Sequence, residues 1–419
     1  MTRWRINVFA ATWLSYAGFY FCRKGYGIAK PVLKEDFQFD DMQLAHIWTA
    51  YLISYMIGQF LSARLGQRFA CRILLLIGMA ISVVMNICIG STVTGGPEMF
   101  WMLIGFHSIN GFAQATGWPG NVGILAKWTR RNERGRVMAW WGTCYMIGSI
   151  MAKHFAAFML AWLGVAWSFW GAAGVLFAIW IVFYFFGKEE PESVGLELIE
   201  EVEVEVDEDT PQTTSNARPW EEVVRVVMIM GLLYFCFKFT RYALDSWGPM
   251  LIREGFSDQV DSATAGHLST IFDWVGFLGV IVGGYASDKL FRSERMPVIT
   301  WMSVAMCAVC FIWWVFGSTN LWLFVGCMGL IGFTMMGPDS LLSGTAAMDI
   351  STKEKAVVAS GIINGLGSIG PVIQEEVLGY VKVTMGQDAV LAIIFGMSIV
   401  AVLGSGALWI YTKRRGLAL

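Results

Sequence analysis

Residues 188–222 read KEEPESVGLELIEEVEVEVDEDTPQTTSNARPWEE and form the one long polar stretch in a chain of 419 residues. Eleven acidic residues lie between Glu189 and Asp209. A run with this density of like charge is typical of a solvated linker. Apolar stretches follow one another on each side of it, so the linker divides the chain into two halves.

Each half contains six apolar stretches long enough to cross a bilayer as helices. Hydrophobic residues make up 56% of the chain and charged residues only 15%, which excludes a soluble enzyme, a disulfide scaffold and a disordered protein. The sequence therefore predicts an all-α integral membrane protein with twelve transmembrane helices and domains 1–187, 188–222 and 223–419. The predicted spans are 6–32, 43–65, 73–93, 98–126, 137–162, 165–187, 224–252, 264–287, 297–317, 321–345, 356–382 and 388–412.

The basic residues predict the orientation of these spans. Of 30 Lys and Arg, 21 fall on the side of the termini and the linker, whereas Lys30, Lys34, Arg253 and Lys382 fall on the other side. By the positive-inside rule, both termini and the linker are expected in the cytoplasm. We expect a multi-pass protein of a plasma membrane of the bacterial inner-membrane type, present as a monomer in the lipid bilayer.

The two halves repeat each other at corresponding places. Residues 19–24 (FYFCRK) resemble residues 237–242 (FKFTRY), and Gly111-Phe112 resembles Gly332-Phe333. Two similar halves of six helices, with a binding site near the middle of the membrane, are typical of carriers that rock one half against the other.

Five basic residues lie inside predicted spans, where one cation costs about 2.5–3.5 kcal/mol at a helix centre. The acids available to neutralise them are fewer, so either the bundle uses them in structural ion pairs or they bind an anion. The five cations are Arg23, Lys24, Lys153, Lys238 and Arg241; the acids are Asp245, Asp273 and, near an outer end, Glu375 and Glu376.

Helical spacing places several of these groups on common faces. Tyr16, Tyr20 and Arg23 are four and three residues apart. In the second half, Lys238 lies one turn from Arg241 and two turns from Asp245, and Tyr234 precedes Lys238 by four residues. Guanidinium groups bind phosphate or carboxylate through two parallel hydrogen bonds. Two arginines, one from each half, favour a tetrahedral dianion.

These residues, with Asn110-Gly111-Phe112-Ala113-Gln114, Gly117-Trp118-Pro119 and Asn132-Glu133-Arg134-Gly135, resemble the organophosphate:phosphate antiporters of the major facilitator superfamily. The resemblance covers nearly the whole chain. It implies the major facilitator fold and exchange of a sugar phosphate or glycerol 3-phosphate for inorganic phosphate. It further implies phosphate binding by Arg23 and Arg241, with the lysine, tyrosine and acid positions of the family falling on Lys24, Tyr16, Tyr20 and Asp273.

The chain departs from that family pattern at five places, which leaves the organic part of the substrate open. Gln59 and Tyr145 stand where members carry a lysine and a histidine, and Lys238 stands where members often carry a tyrosine. The acid before Trp247 is Asp245 rather than residue 246, and Gln67 replaces an aspartate that Asp288 keeps in the second half. We hypothesise that Lys238 replaces the cation lost at Gln59.

Two other functions stay open from the sequence. A proton-coupled carrier of organic anions would use Asp273 or Asp245 as its titrating acid, and a membrane sensor of sugar phosphates would bind without transport. Catalytic and phosphate-loop motifs are absent from the predicted cytoplasmic loops, so we expect neither an enzyme nor a cofactor, and nothing suggests nucleic-acid binding. His46, His107, His154 and His267 lack metal-ligand spacing and predict no metal site, although Lys153-His154 is a candidate site or pairing element.

Overall fold

The structure is a computed structural model that describes residues 2–65, 68–130, 134–197, 220–291, 294–345 and 353–415. These residues are helical and contain no strand, which confirms the all-α prediction. The helices are α1 (Thr2–Glu35), α2 (Asp41–Leu65), α3 (Cys71–Thr92), α4 (Phe100–Gln114), α5 (Gly117–Trp128), α6 (Arg134–Trp141), α7 (Thr143–Leu163), α8 (Val165–Phe186), α9 (Trp220–Gly255), α10 (Ser262–Ser269), α11 (Ile271–Tyr285), α12 (Arg295–Phe316), α13 (Leu321–Ser340), α14 (Lys353–Met385) and α15 (Gln387–Arg414).

Eight stretches of the described residues are long and apolar enough to cross a membrane. One of them, Cys71–Trp128, contains two of the predicted spans, so the number twelve stays a prediction. Large apolar side chains are exposed on the helix surfaces, among them Trp101, Trp162 and Leu403, while Asn110, Gln114 and Lys153 are buried. Exposed apolar and buried polar side chains are what a lipid solvent requires, and the protein is a multi-pass integral membrane protein.

Glycine contacts repeat between the two halves at the Gly-Phe pairs that resemble each other in the sequence. In the first half, Gly111 of α4 lies against the backbone carbonyl of Tyr51 on α2, and a Cβ on Gly58 would lie 3.0 Å from the carbonyl oxygen of Phe112. A side chain at either glycine would hold the helices apart, so α2 and α4 depend on both for their close approach.

The second half reproduces this pair of contacts 221 residues later in the numbering. Gly332 of α13 lies against the backbone carbonyl of Phe272 on α11, and Gly279 of α11 lies against that of Phe333. The helix ends repeat as well: Gly164, between α7 and α8, has φ +91°, and Gly386, between α14 and α15, has φ +83°. Both adopt backbone conformations that only glycine enters without strain.

The helices pack into two compact units. The first consists of the described parts of Met1–Val202 together with Gly248–Thr270, and the second of those of Glu203–Trp247 together with Ile271–Leu419. In the first unit α1 packs against α7 and α8, and α2 against α4; in the second α11 packs against α13, and α12 against α13 and α15. The predicted domains 1–187, 188–222 and 223–419 stay a prediction.

The first residues of the acidic linker bind to the first unit. The Glu189 carboxylate accepts hydrogen bonds from the backbone N–H of Arg72, at 2.7 Å, and of Cys71, and it pairs with Lys127 Nζ at 2.8 Å. It thus occupies the N-terminus of α3, where the helix dipole favours an anion. Residues 198–219 of the linker, Gln67, Asn132, Glu133 and the side chains of Arg134 and Asp288 lie outside the described residues.

Candidate functional site

Three side chains share one face of α1, as their spacing in the sequence predicts. Tyr16, Tyr20 and Arg23 are all buried, and the rings of Tyr16 and Tyr20 meet edge to face with centroids 5.7 Å apart. The guanidinium carbon of Arg23 lies 4.9 Å from the centroid of Tyr20. Since a cation is attracted to the face of an aromatic ring, the tyrosine stabilises the buried charge.

Helices α2 and α4 complete the surroundings of Arg23. The guanidinium carbon lies 4.6 Å from the ring centroid of Tyr55 and 6.0 Å from that of Tyr51. Arg23 Nε donates a hydrogen bond to Gln114 Oε1 at 3.0 Å, and the Tyr51 hydroxyl donates to the same oxygen at 2.9 Å. The sequence reasoning missed both tyrosines, although their four-residue spacing on α2 matches that of Tyr16 and Tyr20.

A chain of buried amides orients Gln114. Its Nε2 donates to Asn110 Oδ1 at 3.2 Å, and Asn110 Nδ2 donates to the backbone carbonyl of Cys22 at 3.1 Å. Because the Gln114 amide nitrogen is engaged in this way, its oxygen faces the two donors from Arg23 and Tyr51. The motif that includes Asn110 and Gln114 therefore holds the arginine in place through a network of satisfied groups.

Arg23 keeps an uncompensated charge and an unused donor. Among the residues that the structure describes, its hydrogen-bond partner is the neutral Gln114, and it forms no ion pair. Its Nη2 is buried and has no hydrogen-bond partner there. A buried donor left unsatisfied costs about 1–3 kcal/mol, and more when it is charged. This group, which we call the first half-site, is thus suited to an anionic acceptor.

In the second unit, Arg241 of α9 pairs with Asp339 of α13, with 3.0 Å between Nη1 and Oδ2. Asp339 lies inside the predicted span 321–345 but was not among the buried acids named from the sequence. Of the two alternatives that the sequence left open, an ion pair or a bound anion, Arg241 thus has the ion pair. The carboxylate neutralises this guanidinium, whereas the partners of Arg23 among the described residues are neutral.

Lys238 lies beside this pair on α9, as the spacing predicts. Its Nζ donates to Ser368 Oγ on α14 at 3.1 Å and lies 4.9 Å from the ring centroid of Tyr234. The Ser368 hydroxyl donates in turn to the carbonyl of Asn364 at 2.7 Å, so its oxygen is free to accept from the lysine. Lys238, Arg241 and Asp339, with Tyr234 and Ser368, form what we call the second half-site.

The remaining predicted site residues lie in the same units. Lys24 Nζ is 5.5 Å from the Tyr20 ring centroid, and Tyr145 is half-buried against the apolar core of the first unit. Asp245 is half-buried on α9, and Asp273 is buried on α11. Their part in binding stays a prediction.

Lys30 and Lys382, which the sequence assigns to the side opposite the termini, are two further buried cations. Lys30 Nζ lies 5.6 Å from the ring centroid of Tyr26, and Lys382 Nζ lies 5.5 Å from that of Trp247. Both lysines lie near the ends of long helices, since α1 continues to Glu35 and α14 to Met385. Lys153 is buried as predicted.

The predicted pairing element on α7 contains a histidine pair. His154 Nδ1 and His267 Nδ1 are 2.9 Å apart, which joins α7 to α10, and Thr270 Oγ1 lies 3.3 Å from His154 Nε2. Thr270 Oγ1 donates to the carbonyl of His267 at 2.7 Å, so its remaining role toward His154 is that of an acceptor. In a neutral His154 the proton is then on Nε2, and Nδ1 accepts from Nδ1 of His267.

Comparison with known proteins supplies the family. A family profile described as Major Facilitator Superfamily matches residues 12–374. The chain belongs to the major facilitator superfamily. It is therefore related to membrane transporters and is not an enzyme.

Three curated relatives match over most of their length. A probable hexose phosphate transport protein of Chlamydia trachomatis is 26% identical, with 96% of this chain and 90% of the relative covered. The membrane sensor protein UhpC of Escherichia coli is 27% identical, with 88% and 83% covered. A putative glycerol-3-phosphate transporter of Arabidopsis thaliana is 28% identical, with 96% and 85% covered.

Proposed function

We propose that the chain is a membrane carrier that exchanges an organic phosphate, of the sugar phosphate or glycerol 3-phosphate class, for inorganic phosphate by alternating access. The observation that supports this most directly is the first half-site, where Arg23 is buried, lacks a counter-ion among the described residues and has a free Nη2 donor. The names of the relatives support the same class of substrate.

Phosphate fits Arg23 by charge and by geometry. It brings about 1.5–2 negative charges at neutral pH and three acceptor oxygens. The planar guanidinium fork can offer two parallel N–H donors to such oxygens. The tyrosine rings around Arg23 exclude water, which strengthens the interaction between the charges.

The charge on Arg23 also provides a reason for exchange. An empty first half-site leaves a buried cation without an anion, and a conformational change in that state carries the full cost of the charge. Bound phosphate removes this cost, so the loaded carrier reorients more readily than the empty one. Arg241 contributes less to this effect than the sequence suggested, because Asp339 already neutralises it.

The same proposal includes the arrangement in the membrane. We place both termini and the acidic linker in the cytoplasm, in a plasma membrane of the bacterial inner-membrane type, with the protein acting as a monomer. The support is the distribution of basic residues, which stays strongly one-sided after Lys30 and Lys382 are assigned to the protein interior.

A sensor function is the second candidate, and the UhpC relative is the observation that favours it. A sensor would bind sugar phosphate at Arg23 without moving it across the membrane. A proton-coupled carrier of organic anions would transport in the absence of phosphate on the far side. Neither the sensor nor the proton-coupled carrier would release internal phosphate in exchange for an external phosphate compound.

The deciding experiment uses purified protein in liposomes loaded with labelled phosphate. External glycerol 3-phosphate and glucose 6-phosphate are added in turn, and release of the label is followed with and without a pH gradient. An exchanger releases label only when an external phosphate compound is present, whatever the gradient. Binding without release would support the sensor, and uptake that follows the pH gradient into phosphate-free liposomes would support the proton-coupled carrier.

A further inference from the structure

An apolar groove lies on the surface of the first unit, beside the N-terminal part of α1. It has a volume of about 710 Å³, and three helices line it: Phe9, Ala10, Trp13 and Leu14 of α1, Val137 and Trp140 of α6, and Thr143 of α7. The Thr143 hydroxyl donates to the carbonyl of Trp140 at 2.7 Å and accepts from Trp13 Nε1 at 3.0 Å. Because these polar groups are satisfied within the protein, the groove offers a ligand mainly apolar surface.

A second depression, of about 260 Å³, continues this groove toward the N-terminus of α1. The two share Phe9 and Val137, and the second also contacts Arg5, Ile6, Leu125, Trp128 and Thr129. From Arg5 to Leu14 the helix rises about 14 Å, at 1.5 Å per residue, and one leaflet of the hydrocarbon core is about 15 Å thick. The groove therefore has the length of one acyl chain in a leaflet.

The end of the groove near the N-terminus of α1 carries positive charge. Arg5 Nε donates to the backbone carbonyl of Trp128 at 3.1 Å, which holds the guanidinium at this end. Burial and the charge of the exposed Arg130 both lower the pKa of Arg5, so the two guanidinium groups lie close enough to repel each other. An anion bound beside both would remove this repulsion.

The same end has the composition of a membrane–water interface. Trp4 packs against the core of the first unit, and the Trp128 indole donates to the carbonyl of Lys188 at 3.0 Å. Indole rings are enriched at the level of the lipid headgroups. In the orientation proposed above, this end of α1 lies at the cytoplasmic leaflet, whose surface is negatively charged. The charged end of the groove thus lies where the headgroup of an anionic lipid is expected.

We propose that the groove binds an anionic phospholipid, with one acyl chain along Phe9, Trp13 and Val137 and the headgroup at Arg5 and Arg130. The acyl chain fits the length and the apolar lining, and the net negative charge of the headgroup fits the two arginines. A zwitterionic lipid brings an ammonium group close to the same arginines and is expected to bind less tightly. The inference does not depend on what the protein transports.

The test measures lipid binding directly, by native mass spectrometry of delipidated protein. The protein is titrated with phosphatidylglycerol or with phosphatidylcholine that carries the same acyl chains. The double variant Arg5→Gln with Arg130→Gln removes the charge at the headgroup end, and Ala10→Trp fills the groove. The matched controls are Arg414→Gln, at the exposed end of α15, and Ala161→Trp, at an exposed position of α7.

We expect the parent protein to bind one phosphatidylglycerol about tenfold more tightly than phosphatidylcholine, because basic side chains near the membrane surface attract anionic lipids. In the double variant this ratio should fall to about one. In Ala10→Trp the tight binding of phosphatidylglycerol should be lost, because the acyl chain no longer has room. Arg414→Gln and Ala161→Trp should both match the parent.

Three results would overturn the inference. Equal binding of the two lipids by the parent would show that the groove does not recognise the headgroup. A tenfold ratio that persists in the double variant, or tight phosphatidylglycerol binding that persists in Ala10→Trp, would place the anionic lipid elsewhere on the protein. If the double variant does not fold, as judged by size-exclusion chromatography and thermal unfolding, the single change Arg130→Gln decides, and an unchanged ratio there counts against the inference.

Discussion

Arg23 Nε donates to Gln114 Oε1 at 3.0 Å, so a neutral amide holds the buried arginine of the first unit. The glycine contacts of the two halves match at an offset of 221 residues. At this offset Gln114 corresponds to Met335 of the second half, and Asp339 corresponds to Trp118 of the first. The two half-sites have therefore diverged at the partners of their arginines. One partner leaves the guanidinium charge available to a ligand, and the other neutralises it.

Substitution of Arg23 tests whether its fork of donors binds phosphate. Arg23→Lys keeps the charge but loses the planar geometry, so exchange in liposomes should fall at least tenfold, or about 1.4 kcal/mol. Expression and thermal unfolding should stay close to the parent. Arg414→Lys, at the exposed end of α15, is the control and should exchange normally. Parental rates for Arg23→Lys would make this arginine structural.

Gln114 offers a sharper test of the charge on Arg23. Gln114→Glu places a carboxylate where the amide oxygen accepts from Arg23 and Tyr51. The new ion pair should compete with phosphate, and we expect the dissociation constant for phosphate to rise at least tenfold, as for other close charge pairs. Gln114→Met, which copies Met335, removes the hydrogen bonds without adding charge and should weaken binding less. Equal effects of the two variants would exclude an electrostatic role.

The sequence predicts some parts of this site and not others. The face formed by Tyr16, Tyr20 and Arg23 was predictable, since residues three and four apart on one helix share a face. Tyr51, Tyr55 and Asp339 were not, because their contacts join different helices and depend on how closely glycines let those helices approach. A charge next to Gly-Pro gives no local sign that it pairs with an arginine almost a hundred residues earlier.

Substitution of Lys238 tests the hypothesis that this residue supplies a cation for the substrate. Lys238→Tyr restores the residue that the family often carries and should raise the dissociation constant for phosphate several-fold, because a positive charge near the anion is lost. Adding Gln59→Lys should recover part of the affinity. Ser368→Ala, which removes only the hydroxyl that Lys238 contacts, is the matched control for packing. Unchanged binding in Lys238→Tyr would show that the lysine has a structural role, through its contacts with Ser368 and Tyr234.

The orientation is testable by labelling single cysteines in intact cells after the natural cysteines are replaced. A cysteine at Asp40, in the exposed turn between α1 and α2, should react with a membrane-impermeant maleimide. A cysteine at Thr213, in the acidic linker, should react only after the cells are opened, because the positive-inside rule places the linker in the cytoplasm. Reaction of the Thr213 cysteine in intact cells would reverse the assignment.

The ion pairs at one end of the first unit provide a test of stability that is independent of transport. Lys34 Nζ, at the end of α1, lies 2.7 Å from Asp41 Oδ2 on α2 and 2.8 Å from Glu254 Oε1 on α9. Burial alone would lower the pKa of Lys34, but its hydrogen bonds to these two carboxylates and their charges raise it. A raised lysine pKa stabilises the fold fully below the ordinary value and loses this effect only as the pH rises through the raised one.

The contribution of this network to the free energy of unfolding should therefore be constant between about pH 6 and 9. It should decrease as the salt concentration rises, because Lys34 is one-third exposed and its ion pairs are partly screened. Lys34→Glu should lower the thermal unfolding midpoint, because it gathers three carboxylates. Adding Glu254→Lys should restore part of the loss, and the coupling energy of the double-mutant cycle should be about 0.5–1 kcal/mol, as for partly screened pairs. Additive effects of the two changes would show that Lys34 and Glu254 do not stabilise each other, whatever their distance.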